Sequence, residues 1–128
     1  MEKAKILVVD DDPKLSRLVK LFLEKTKLYE VIEENRSSHA VETARSIRPA
    51  AILLDVDMPG KDGGEVARDL SADPQLCGKP IMFFTSLIST AEAGKREVMR
   101  GGQPFLAKPV NPVALVEAVG RLLHPVAA

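Results

Sequence analysis

Four places in this 128-residue chain carry residues whose types and spacing suit chemistry. Asp10-Asp11-Asp12 follows the aliphatic run Ile6-Leu7-Val8-Val9. Asp55-x-Asp57 follows Ile52-Leu53-Leu54. Thr85-Ser86 follows Ile81-Met82-Phe83-Phe84, and Lys108-Pro109 follows Phe105-Leu106-Ala107. Each apolar run is short, ends abruptly in a polar group and suits a strand buried on both faces. In an open parallel sheet the carboxyl ends of all strands lie on one edge, where ligands bind. Asp10, Asp11 and Asp55 would then crowd together and repel. A hard divalent cation offsets that repulsion, and Mg²⁺ takes one or two carboxylates together with waters and phosphate oxygens. A lysine beside the cluster offers a cation to a phosphoryl oxygen, and a hydroxyl offers a hydrogen bond. The set suits phosphoryl transfer to a carboxylate: attack by Asp55, with the metal and Lys108 neutralising the developing charge.

The segments between these runs must position them. Asp12 is a good N-cap and Pro13 fits the first helical position, so a helix is expected over residues 13–25 with Leu15, Leu18, Val19 and Phe22 inward. Tyr29-Glu30-Val31-Ile32-Glu33 alternates and reads as a second strand near an edge. Ser37 or Ser38 can cap a second helix with Ala40, Val41, Ala44 and Ile47 inward, stopped at Arg48-Pro49. After the Pro59-Gly60 turn, Val66, Ala67 and Leu70 mark a third helix whose start Gly63 and Gly64 weaken. Residues 71–80 read as a polar loop holding Cys77. Residues 90–100 read as a polar fourth helix with a thin apolar stripe, and Gly101-Gly102-Gln103-Pro104 as a turn. Asn111-Pro112 opens a last helix, with Leu115, Ala118, Val119 and Leu122 inward. The pattern is five strands alternating with five helices, which implies a parallel sheet, helices on both faces and right-handed crossovers.

Composition narrows the function classes. Lys plus Arg equals Asp plus Glu at 18 each, so the basic excess of a nucleic-acid-binding domain is missing. Aromatics make up 4% with no Trp, too few for a base-stacking platform. No apolar run is long enough to span a bilayer, and Met1-Glu2-Lys3-Ala4-Lys5 does not open a secretory signal. The single cysteine, Cys77, excludes an internal disulfide framework. These features point to a soluble cytoplasmic domain of one unit, residues 1–128, with no direct nucleic-acid or membrane partner.

With the acidic pair in Ile-Leu-Val-Val-Asp10-Asp11, then Leu-Leu-Asp55-x-x-Met58-Pro59-Gly60, Phe-Thr85-Ser86 and Lys108-Pro109, the chain resembles the receiver domain of two-component response regulators, the CheY-like superfamily. The resemblance covers nearly the whole chain, in order and in spacing. It implies a doubly wound, flavodoxin-like sheet of order 2-1-3-4-5. It implies Asp55 as phosphoacceptor, Asp11 as a direct Mg²⁺ ligand, Asp10 as a ligand through water, and Asp57 as the residue whose backbone carbonyl completes the site. Thr85 matches the switch hydroxyl, Phe105 the switch aromatic and Lys108 the phosphoryl-binding lysine, where the family often has a cis Lys-Pro bond. The implied function is a switch phosphorylated by a sensor histidine kinase or a histidine phosphotransfer protein, catalysing only its own phosphorylation and dephosphorylation and changing affinity for a downstream effector. Homodimerisation through the face of helix 4, strand 5 and helix 5 is a family-level expectation.

Departures from the commoner family pattern fall at Glu34, where a small residue is usual, at Gly64, where a large aliphatic is usual, and in the Gly-Gly-Gln-Pro before the fifth strand. Phe105 lacks the hydroxyl of a switch Tyr, and apolar Leu87 is expected to hinder attacking water. On pattern alone Asp12 reads as a cap and Phe105 as core, while a mere turn residue at Asp57 and a mere buried hydroxyl at Thr85 are the alternatives to their site roles. Asp55-x-Asp57-x-x-Gly60 is not an EF-hand loop, because Pro59 and Val66 fall where oxygen ligands are needed. A phosphorylation-independent binding module and an aspartate-based phosphatase remain as alternatives. Phosphatases with this acid pair carry it after the first strand of a longer chain.

Overall fold

The computed structural model describes residues 3–86, 97–100 and 103–124. Strands β1 (Ala4–Val9), β2 (Tyr29–Glu34), β3 (Ala51–Asp55), β4 (Ile81–Thr85), β5 (Glu97–Arg100) and β6 (Gln103–Ala107) form one sheet of order β2-β1-β3-β4-β6-β5. Helices α1 (Pro13–Glu24), α2 (Ala40–Ile47), α3 (Gly63–Ala72) and α4 (Pro112–Leu123) cover it. The five strands β2, β1, β3, β4 and β6 are parallel, in the order 2-1-3-4-5 expected of a doubly wound domain.

Strand residues alternate between two apolar layers, because successive side chains point to opposite faces. Ile6, Val8, Leu53, Met82 and Phe84 pack with Val19 and Leu23 of α1 and Leu115, Ala118 and Val119 of α4. Leu7, Val9, Ile52, Leu54 and Phe83 pack with Ala40 and Ala44 of α2 and Val66 and Leu70 of α3. Each fully buried Leu, Ile or Phe contributes about 1.5–3 kcal/mol relative to exposure. The strand ends are thereby held rigidly on one edge.

Caps fix the helix starts that flank that edge. Asp12 accepts from the Lys14 N–H at 3.0 Å, and Pro13 follows at the first helical position. Asp62 and Glu65 form a reciprocal capping box, which offsets the two glycines opening α3. Asn111 accepts from the Ala114 N–H at 3.0 Å. Serine capping of the second helix does not occur. A 3-10 turn over Ser37–His39 precedes α2, and neither Arg36 nor His39 caps through its side chain. The Ser37 hydroxyl donates instead to the Pro59 carbonyl at 3.3 Å, joining this turn to the loop after β3. On α1, Leu18 is 45% exposed while Ser16 is fully buried, so the inward face is rotated from the expected one. Ser16 has polar partners inside that an aliphatic would leave unpaired.

The expected fourth helix needs correction at its end. Glu97–Arg100 form β5, antiparallel to β6, with Glu97 opposite Leu106 and Arg100 opposite Gln103. Gly101 and Gly102, expected in the turn before the last strand, lie outside the described residues. Residues 90–96 and Leu87 lie outside the described residues. Gln103 and Pro104, expected in the turn, open β6. Pro104 precedes the first pair with β4, Phe83 with Phe105, a position where a missing N–H is tolerated.

Candidate functional site

β1 and β3 are neighbours, with Val9 opposite Leu54, so the residues that follow them meet. Asp10 follows β1, Asp55 ends β3, and Asp11 lies beside them. One carboxylate oxygen from each of the three lies within 4.8 Å of the others. Asp10 is fully buried, Asp55 nearly so, and Asp11 is exposed at the mouth. β6 brings Lys108 to the same place: its N–H donates to the Thr85 carbonyl at 2.9 Å, continuing the β4–β6 ladder, and the Lys108-Pro109 bond is cis. The Lys108 ammonium donates to Asp55 Oδ1 at 2.7 Å and lies 3.7 Å from Asp10 Oδ2.

The electrostatics follow from burial. Burial pushes the Asp10 carboxyl up to about 6, and the neighbouring Asp55 and Asp11 add to this. The Asp12 N–H, at 2.9 Å from Oδ1, and Lys108 oppose it. Burial also raises Asp55 above the usual carboxylate range, although Lys108 and the Asp57 N–H oppose it. Burial would lower Lys108, but its bond to Asp55 and the charges of Asp10 and Asp55 outweigh that and raise it. Lys108 is therefore a fixed cation.

Asp10 Oδ2 is buried without a hydrogen-bond partner. The Lys108 ammonium, 3.7 Å away and hydrogen-bonded to Asp55, compensates this buried oxygen only in part, and a second cation is its natural complement. Three convergent carboxylate oxygens, with one ammonium shared between Asp10 and Asp55, fit a hard divalent ion.

The remaining sequence-predicted residues are placed as follows. Asp57 is exposed and enters through its backbone, whose N–H points to Asp55 Oδ1 at a long 3.4 Å. Asp12 caps α1 and stands apart from the three-carboxylate group. Thr85 is buried at the end of β4, one register step past Phe84, which pairs with Asp55. Phe105 is half-buried and stacks on Phe83, ring centroids 5.0 Å apart at 25°. Glu34 accepts from the Thr43 hydroxyl at 2.6 Å and from the Arg36 N–H at 3.0 Å, tying β2 to the start of α2.

Two features of the site went unread in the sequence. A Cβ on Gly63 would fall 2.5 Å from the Asp55 carbonyl oxygen, so this glycine lets α3 start against the backbone of Asp55. The only signal was a glycine eight residues after the acid. The other is a polar group under the acid loop, built from Ser16, Glu33 and Asn35. Its signal was a serine at i−3 and i−7 from inward-facing Val19 and Leu23.

Comparison with known proteins agrees with this geometry. The profile of the family described as response regulator receiver domain matches residues 6–120. The chain is 30% identical over 122 residues to protein PilH of Pseudomonas aeruginosa, covering 94% of this chain and 98% of that protein. It is 32% identical over 117 residues to the DNA-binding response regulator MtrA of Mycolicibacterium smegmatis, covering 91% of this chain and 49% of that protein. Among solved structures, chemotaxis protein CheY4 of Vibrio cholerae superposes with a TM-score of 0.81 at 30% identity, covering 95% of this chain and all of that one. No helix among the described residues is long and apolar enough to cross a membrane. The fold, the strand-end acids and these matches together show that the chain belongs to the response regulator receiver domain family.

Proposed function

We propose that Asp55 is the phosphoacceptor of a signalling switch and that Asp10, Asp11 and Asp55, with the Asp57 backbone carbonyl, hold Mg²⁺. The observation that carries this reading is the pairing of Lys108 with Asp55 beside a buried Asp10 oxygen that makes no hydrogen bond. The donor is a phosphohistidine on a sensor histidine kinase or a histidine phosphotransfer protein. An Asp55 carboxylate oxygen attacks phosphorus and the new O–P bond forms as the donor's P–N bond breaks. The electron pair stays on the imidazole nitrogen, which is protonated from solvent. Lys108 shifts its charge-assisted hydrogen bond from Asp55 Oδ1 to a phosphoryl oxygen. When bound, Mg²⁺ neutralises phosphoryl oxygens and the acids around them.

Thr85 and Phe105 are the residues that register the phosphoryl group in this reading. Thr85 ends β4 beside Asp55, and Phe105 lies on β6, the next strand. Rearrangement there changes the β6–α4 side of the domain and its affinity for a downstream effector. Residues 1–128 act as one receiver unit that catalyses only its own phosphorylation and dephosphorylation, in the cytoplasm. A homodimer through the β6–α4 side is part of the same proposal, and light scattering with and without a phosphoryl mimic tests it.

The test of the central reading is intact mass after incubation with acetyl phosphate and MgCl₂, followed by a purified phosphohistidine donor. One adduct that needs the metal and is lost in Asp55→Asn supports it. No adduct from either donor on folded protein would establish the alternative, a binding module that works without phosphorylation.

A further inference from the structure

Asp10 lies one residue past the end of β1, so its backbone has left the regular ladder. Its N–H still donates to the Glu34 carbonyl at 3.1 Å. Its carbonyl is taken by a side chain: Asn35 Nδ2 donates to it at 2.7 Å. The same amide group donates to Ser16 Oγ at 2.9 Å. Ser16 Oγ in turn lies 2.8 Å from Glu33 Oε1, and Arg17 Nε donates to Glu33 Oε2 at 2.9 Å.

The direction of every bond in this chain is fixed by chemistry. A backbone carbonyl only accepts, so Asn35 must turn its NH₂ toward Asp10. Ser16 Oγ then receives the second amide hydrogen and gives its own to Glu33, an acceptor at 2.8 Å and closer than the Pro13 carbonyl at 3.3 Å. Burial alone would raise Glu33, but the Ser16 hydroxyl and the Arg17 guanidinium outweigh it and hold the carboxyl below its usual range, so it stays an acceptor. Ser16 is fully buried, and Asn35 and Glu33 are half-buried.

We propose that Asn35 is a positioning residue for the acid pocket: its amide, oriented by Ser16 and Glu33, clamps the Asp10–Asp11 peptide in the geometry that receives the divalent cation. The peptide held by Asn35 is the one that joins Asp10 to Asp11, so the clamp sets where both carboxylates point. Groups that orient metal ligands from behind typically change affinity by about 10–100-fold when removed. This inference rests on the proposed cation site.

The experiment is a chemical-shift titration of the ¹⁵N-labelled 128-residue chain with MgCl₂, which reports both folding and the Kd. Wild type, Asn35→Ala, Ser16→Ala and Thr43→Val are compared. Thr43→Val removes a bond to the side chain of Glu34, which reaches Asp10 only through its backbone carbonyl. Asn35→Ala is expected to weaken Mg²⁺ binding by about 10-fold, and Ser16→Ala to weaken it less. Thr43→Val is expected to leave it unchanged. The metal-free spectrum gives a second readout: the Asp11 amide nitrogen shifts in Asn35→Ala, because its peptide carbonyl has lost a donor, and stays in place in Thr43→Val. A wild-type Kd in folded Asn35→Ala overturns the inference, as does equal weakening in Thr43→Val. If Asn35→Ala does not fold, a wild-type Kd in Ser16→Ala overturns it. Failure of the wild type itself to bind Mg²⁺ removes the cation site and the inference with it.

Discussion

Lys108 and Asp55 come from strands that do not touch, β6 and β3, yet their charged atoms meet at 2.7 Å across the end of β4. Asp55 is level with Phe84 and, across β4, with Leu106, and Lys108 follows two residues later, so the long lysine side chain spans the offset. Lys108 also lies 3.7 Å from Asp10, so one ammonium serves two buried carboxylates.

Replacing that ammonium should therefore slow chemistry more than it disturbs the fold. Lys108→Met is expected to reduce phosphorylation by acetyl phosphate about 100-fold, the usual effect of losing one preorganised transition-state donor. Intact mass against time measures it. A rate within a factor of two of wild type would remove Lys108 from the reacting site.

The raised Asp10 carboxyl sets a pH dependence for metal-free protein. The folded state holds this proton up to about pH 6, whereas the unfolded chain releases it near 3.8. Between those values the native state binds more protons, so this group's contribution to stability is full below 3.8 and is lost as pH rises through 6. Asp10→Asn is expected to stabilise the metal-free protein at pH 7.5 by on the order of 2 kcal/mol, with the advantage vanishing below about pH 4. Urea unfolding in EDTA across this range checks it. A pH-independent difference would show that the gain comes from packing.

Two glycines at helix positions should respond oppositely to the same change. Gly63→Ala places a Cβ 2.5 Å from the Asp55 carbonyl oxygen and is expected to cost about 1–3 kcal/mol while displacing Asp55. Around Gly120, inside α4, a Cβ meets nothing within 4 Å. Gly120→Ala is expected to stabilise by about 0.5–1 kcal/mol. Thermal unfolding of both variants decides the signs.

The antiparallel edge pairing has its own signature. The opposed, non-hydrogen-bonded pair Met99 and Pro104 of β5 and β6 is expected to show an interstrand Hα–Hα contact in nuclear Overhauser spectra. Sequential helical contacts over residues 97–100 would contradict the strand.

What the sequence revealed about the fold was whatever each segment carries in itself. Four apolar runs ending in Asp10, Asp55, Thr85 and Lys108 announce buried strands and their shared edge. Caps such as Asp12 and Asn111 announce helix starts within a few residues. What it hid depends on distant partners. Ser16 looks like an interruption of an apolar stripe until Glu33 and Asn35 are seen beside it. Gly63 looks like a weak helix start until the Asp55 backbone is placed against it. Glu97-Val98-Met99-Arg100 is too short for its period to separate strand from helix. Its choice is set by β6, a neighbour that no local pattern names.

The alternation of β1 between two apolar layers separates residues that the chain joins. Ile6 faces α1 and α4, whereas Leu7, the very next residue, faces α2 and α3. Energetic effects of substitutions at Val8 and Leu53, far apart in the chain but opposed in one layer, share surroundings and should couple more strongly than those at Ile6 and Leu7, which face different layers. Each half of the interior can then drift in sequence on its own schedule, with the sheet as the common wall and the acid-bearing edge unchanged.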